Sequence, residues 1–150
     1  MLSVAEIMTR EPYSLGPDDT LRDAAQLMHE HHIRHVPIVS GDHSVIGLVS
    51  HRDVLAASDS QIFHSPRDAT GKEGYVALST VMSSPVHTVE ENASLQGAAM
   101  HLRNHRLGCL PVVREGRLVG IISDSDFLEV AITLMEHLEM SEPGDPEDMD

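Results

Sequence analysis

The chain has 150 residues, 41% of them hydrophobic and 3% aromatic, no Trp, and a formal net charge of −14. That length holds one domain or two small units sharing a core, which must be built from Val, Ile, Leu, Ala and Met. The charge argues against nucleic acid or an anionic membrane as a bulk partner, because both require a basic face.

No apolar run approaches the ~20 residues of a membrane helix. The start, Met1 to Glu6, lacks the basic region and apolar stretch of a secretory signal. Cys109 stands alone, so no intrachain disulfide can form, and a soluble cytoplasmic protein is expected.

In chain order, Ser3-Val4-Ala5-Glu6 reads as a capping box opening a short helix through Met8, with Pro12 closing it. A short extended segment is expected around Tyr13–Leu15. Asp19 or Thr20 then starts a helix whose Leu21, Ala24, Ala25 and Met28 fall on one stripe. Val36–Val39 and Val45–Ser50 read as a hairpin around a polar Gly-Asp turn, and a further helix follows Ser50. Pro37 lies inside a strand pattern, which places it on an edge or beside a bulge.

The same order then returns. Ile7-Met8-Thr9 aligns with Val81-Met82-Ser83 at an offset of 74, as does Val36-Pro37-Ile38-Val39 with Leu110-Pro111-Val112-Val113. After the turns the offset falls to 73. The expected organisation is a first repeat over 1–57, a linker over 58–77 touching the body through Ile62 and Phe63, a second repeat over 78–138 with an extended final helix, and an acidic disordered tail over 139–150. Each repeat is too small to bury its apolar faces alone, so an α/β pseudo-twofold pair is expected.

Chemistry concentrates where each repeat passes from strand to helix. Gly47-Leu48-Val49-Ser50-His51-Arg52-Asp53 returns as Gly120-Ile121-Ile122-Ser123-Asp124-Ser125-Asp126. A helix start leaves backbone N–H groups unpaired, and these attract anions. The Ser-x-x-Asp step also reads as a plain capping device, with Ser50 and Ser123 as N-caps and Asp53 and Asp126 at the third helical position.

The ordered set Ile-Met-Thr, Asp-Asp-Thr-Leu-x-x-Ala-Ala-x-Leu-Met, Ile-Arg-His-Val-Pro-Ile-Val and Gly-Leu-Val-Ser-His-Arg-Asp, occurring twice with variation, resembles a tandem pair of cystathionine-β-synthase (CBS) domains, a Bateman module. The resemblance implies two intertwined βαββα units with a cleft on each side of the pseudo-dyad, and a non-catalytic regulatory module binding AMP, ADP, ATP or a similar adenosine ligand. It assigns Asp53 and Asp126 to the ribose diol, Ser50 and Ser123 to phosphate or ribose, and Arg34 to phosphate; Gly108 stands where a second basic residue would be. Thr9, Val36, Ile38, Ser83, Leu110 and Val112 are implied around the adenine. His51 and Arg52 make the first corner more cationic than the second, with its Asp124 and Ser125, so a phosphate-bearing ligand is expected to favour the Asp53 side. A homodimer is implied too, with Phe127, Val130, Ala131 and Leu134 of the final helix available to form it. With no output domain among these residues, any regulated protein is expected to be a separate molecule.

Two rivals remain open. One is a ligand-free module that only dimerises or docks. The other is a metal sensor built on His29, His31, His32 and His35, although Arg103, His105, Arg106 and Cys109 in the second repeat do not rebuild such a set. An enzyme is not expected, since neither Ser-x-x-Asp hydroxyl has a histidine partner at a spacing that repeats.

Overall fold

The computed structural model describes residues 1–58 and 76–141. The expected linker contacts of Ile62 and Phe63 lie outside the described residues, as does most of the acidic tail.

The local elements follow from local chemistry. Helix α1 (Val4–Ile7) opens on Ser3, whose N–H donates to Glu6 Oε2 at 2.6 Å. Helix α2 (Leu21–His31) opens on Thr20, whose Oγ1 accepts from the Asp23 N–H at 3.2 Å while its own N–H donates to Asp23 Oδ2 at 2.9 Å. Its counterpart α4 (Leu95–His105) opens on Ser94. Both helices stop at a residue in the left-handed region, His32 at φ 54° and Arg106 at φ 55°. Each turns the expected face inward, Leu21, Ala24 and Met28 in one and Leu95, Ala98 and Leu102 in the other, with Ala25 half-buried beside them.

Strands β2 (His35–Val39) and β3 (Val45–Ser50) form the first hairpin and lead into α3 (His51–Ser58). Strands β5 (Cys109–Arg114) and β6 (Arg117–Ser123) form the second and lead into α5 (Asp124–Ser141). Helix α5 runs three residues past the expected end of the second repeat. The extended segment expected around Tyr13–Leu15 makes a parallel bridge from Leu15 to Ile38, and its counterpart in the second repeat is the short strand β4 (Val89–Glu90), parallel to β5; the short strand β1 (Thr9–Arg10), antiparallel to β6, was not anticipated. The sheet order is β1-β6-β5-β4, with β2-β3 as a separate pair.

The repeats exchange their opening segments. Residues of α1 belong to the second body: the Val4 N–H donates to the Ala93 carbonyl and the Leu95 N–H to the Leu2 carbonyl, each at 2.9 Å. Reciprocally, the Leu21 N–H donates to the Val76 carbonyl and the Ser83 N–H to the Leu48 carbonyl, again at 2.9 Å. One cluster therefore unites Leu21, Val36, Ile38 and Val49 with Leu78 of the second repeat. The other unites Leu95, Leu110, Val112 and Ile122 with Val4 and Met8 of the first. The expected single shared core is thus two cores, each closed by the other repeat's N-terminal segment.

This exchange explains the glycine in each apolar strand run. A Cβ on Gly47 would lie 2.8 Å from Met82 Cγ, and one on Gly120 would lie 3.0 Å from both Met8 Cγ and the Thr9 carbonyl oxygen. Each glycine is the floor on which the other repeat's methionine rests. The prolines meet their constraint differently from one another. Pro37 turns to the outer side of β2, where its carbonyl accepts from the Leu15 N–H at 3.1 Å. Strand β5 is not an edge, since β4 flanks it, but β4 pairs only with Val112 and Val113 and leaves Pro111 without a donor to supply on that side. Register shifts follow immediately, at Ile38/Val39 and Val112/Val113.

Candidate functional site

Each strand-to-helix corner closes on a hydroxyl and a carboxylate. The Ser50 N–H donates to Asp53 Oδ2 at 2.8 Å and the Asp53 N–H donates to Ser50 Oγ at 3.1 Å. In the second corner the Ser123 N–H donates to Asp126 Oδ2 at 2.8 Å and the Ser123 hydroxyl to the same oxygen at 3.3 Å. The capping role is therefore real. It also leaves the other oxygen of each carboxylate without a protein partner among the described residues, so capping and ligand binding are compatible. The cap fixes one oxygen of each side chain, and both carboxylates lie in the lining of the same cleft.

Both corners open into one continuous cleft of about 1240 Å³ rather than two separate ones. That exceeds the 300–1,000 Å³ typical of a small-molecule site, so there is room for more than one nucleotide-sized guest. Ser50, His51, Arg52, Asp53, Ser123 and Asp126 line it, together with Arg34, Thr9 and Ser83. The exchange decides which corner the last two serve. Thr9 pairs with Ile121 beside the second corner, and Ser83 bridges to Leu48 beside the first. Val36, Ile38, Leu110 and Val112 are placed elsewhere. All four are 0% exposed in the two cores, so their side chains offer no surface to a ligand.

The apolar wall is supplied instead by Leu48 and Ile121, two residues before each serine and half-buried. The signal for them was present in the sequence. In a strand, residues i and i+2 share a face, so whatever precedes Ser50 or Ser123 by two must look into the same space. Arg10 and Arg106 also line the cleft and were missed. Four arginines (10, 34, 52 and 106) here face four carboxylates (Glu11, Asp53, Asp124 and Asp126), in a chain whose net charge is −14. The starts of α3 and α5 also lie in the lining, so the space offers backbone N–H groups and guanidinium groups to an anion.

His35 lies between the corners, where it meets the charges of Asp124 and Asp53. Burial holds its imidazole below the ordinary 6.5; Asp124 and Asp53 pull the other way, and Arg34 adds to the lowering. The imidazole packs beside Gly108, where a Cβ would be in ordinary van der Waals contact with His35 Nε2 at 3.5 Å and with Asp124 Oδ2 at 3.7 Å, so the position of the missing basic residue in the second repeat borders a histidine of the first. Cys109, the repeat counterpart of His35, is buried, and burial followed by Asp124 and Asp126 pushes its thiol well above the ordinary range, so it is no nucleophile. The histidines of the first repeat do not converge: His31 stacks on Tyr13 with ring centroids 3.9 Å apart, His32 caps α2 and His35 faces the cleft. Among the described residues no helix is long and apolar enough to cross a membrane.

Comparison with known proteins agrees with this architecture. The sequence model of the CBS domain matches residues 4–60 and 78–133. The CBS domain-containing protein YhcV of Bacillus subtilis is 30% identical over 127 residues, 84% of this chain and 83% of its own. AcuB of Vibrio cholerae, named as an acetoin utilization protein, superposes with a TM-score of 0.78 at 43% identity, over 95% of this chain and 99% of that one. CBSX2, solved in complex with AMP, superposes at 0.74 with 23% identity, over 90% and 99%. The chain belongs to the CBS domain family, as a tandem pair.

Proposed function

We propose that this protein is a non-catalytic regulatory module that binds an adenosine-containing phosphate ligand, AMP, ADP or ATP, in the cleft between its repeats and signals its occupancy to a separate protein. The observation that carries the reading is the convergence of two capped Ser-x-x-Asp corners, two helix starts and Arg34 on one space. A carboxylate oxygen that accepts from both hydroxyls of a ribose makes charge-assisted hydrogen bonds of roughly 1.5–3 kcal/mol each. Asp53 and Asp126 have that oxygen to offer. Arg34 and the backbone N–H groups at the helix starts suit phosphate oxygens, and Leu48 with Ser83, or Ile121 with Thr9, would flank the base. The AMP complex of CBSX2 supports the ligand class. The exposed apolar side of α5 supports a homodimer.

The first corner is the better phosphate site, since Arg34, His51 and Arg52 surround Asp53 whereas Asp124 stands beside Asp126. Calorimetry with AMP, ADP and ATP on the wild type, Asp53→Ala and Asp126→Ala tests this. Asp53→Ala is expected to weaken the tightest site about tenfold or more, by the magnitude of one lost charge-assisted bond. Loss of that site in Asp126→Ala alone would reverse the assignment. No heat and no thermal stabilisation with any of the three nucleotides would favour a ligand-free docking module.

A further inference from the structure

Away from the cleft, three histidines meet on the surface of the second repeat. His101 and His105 stand four residues apart on α4, one turn from each other, and His87 comes from the segment leading into β4. The ring centroids are 4.4 Å apart for His101 and His105, 4.8 Å for His87 and His105, and 5.2 Å for His87 and His101. His87 Nδ1 and His101 Nε2 are 3.1 Å apart, and one ring nitrogen from each residue lies within 4.8 Å of the others. We propose that His87, His101 and His105 form a binding site for a late first-row divalent cation, Zn²⁺ foremost.

The geometry and the chemistry favour that occupant. Tetrahedral zinc with Zn–N bonds of 2.0–2.1 Å holds its donors about 3.3 Å apart. The His87–His101 pair is already at that spacing, and His105 reaches it by a small swing of an exposed side chain. Two histidines at i, i+4 on one helix face with a third from elsewhere make a three-imidazole set with an open fourth position. Imidazole selects zinc, copper or nickel over magnesium or calcium, which take oxygen donors.

The other repeat supplies the contrast. At the offset of 74 the three positions become Tyr13, Leu27 and His31, and there Tyr13 stacks on His31 with centroids 3.9 Å apart. A ring two residues ahead of the parallel pairing, at Leu15 in the first half and Val89 in the second, rests on the helix in both halves, so contact alone is a packing feature of the fold. Only the second half turns all three positions into donors.

The test uses the full chain, stripped of metal with chelator and then titrated with Zn²⁺ by calorimetry and with Co²⁺ by visible absorption. One ion per chain is expected, with the ligand-field bands of tetrahedral cobalt. His101→Gln, His105→Gln and His87→Gln should each weaken binding at least tenfold, and His31→Gln should leave it unchanged. Metal-free melting curves matching the wild type certify that each variant is folded. Should His101→Gln melt early, exposed His105 gives the same readout. If the His87→Gln, His101→Gln, His105→Gln triple variant binds as tightly as the wild type, or His31→Gln weakens binding equally, the ions are held by scattered surface histidines and the proposal fails.

Discussion

A single imidazole shows how burial and charge compete in this cleft. His35 has two carboxylates near it, which would ordinarily raise its pKa, yet burial dominates and lowers it. The consequence for stability has a definite sign. Above the ordinary 6.5 the side chain is uncharged in both folded and unfolded chains, and its contribution is fully present. As pH falls through 6.5 the unfolded chain takes up the proton first, so stability declines until the folded pKa is passed. Urea unfolding at about pH 7 and about pH 5 should therefore show a larger loss for the wild type than for His35→Asn. Because His101 is shifted in the same direction, the comparison must be between the two proteins rather than between two pH values. Equal losses in both would mean that His35 protonates freely when folded.

At the scale of elements, the exchange of opening segments makes two glycines unequal. Both Gly47 and Gly120 sit under a methionine from the other repeat, but a Cβ at Gly120 has the backbone carbonyl of Thr9 among its three nearest atoms, at 3.0 Å, while the three nearest to one at Gly47 all belong to the side chain of Met82. A flexible thioether can move aside, and a strand carbonyl paired through β1 and β6 cannot do so cheaply. Gly120→Ala is expected to cost about 1–3 kcal/mol and Gly47→Ala distinctly less, read from denaturant midpoints at equal m. A reversed order would show that the β1–β6 junction is soft. The same exchange marks what could be read beforehand. Caps, stripes and hairpins were legible because Ser3, Thr20, Leu21 and the Val36–Ser50 alternation act within a few residues. Nothing in a strand's periodicity says whose methionine will cover it, so the two cores, the short strand β1 and the merged cleft were not. The four valine, isoleucine and leucine neighbours of the prolines were assigned to the adenine by resemblance, yet each belongs to an uninterrupted apolar run of the kind that marks a strand buried on both faces.

For the whole molecule, the remaining question is what covers α5. Over its 18 residues none is buried. Phe127 and Val130 pack against the second core, so those two are partly used within the chain, while Leu134 is exposed. Beyond them Leu128, Ile132, Met135 and Leu138 recur at i, i+4, i+7 and i+10 with exposures of 65%, 55%, 60% and 62%. Such a stripe on one helix is the form of a partner-binding seam, and an isologous twofold pairing covers it with a second copy of itself. Charge opposes that pairing, since each copy carries −14. Screening by salt should therefore strengthen the dimer, the reverse of what an interface held by ion pairs would do. Light scattering at micromolar concentration is expected to give twice the 16.4 kDa chain mass, with the dimer fraction rising with salt. Met135→Glu places two like charges across the seam and should return the protein to monomer with its circular dichroism unchanged, because that side chain contributes to neither core. A wild type that stays at 16.4 kDa at every salt concentration would remove the dimer and leave α5 for a different partner.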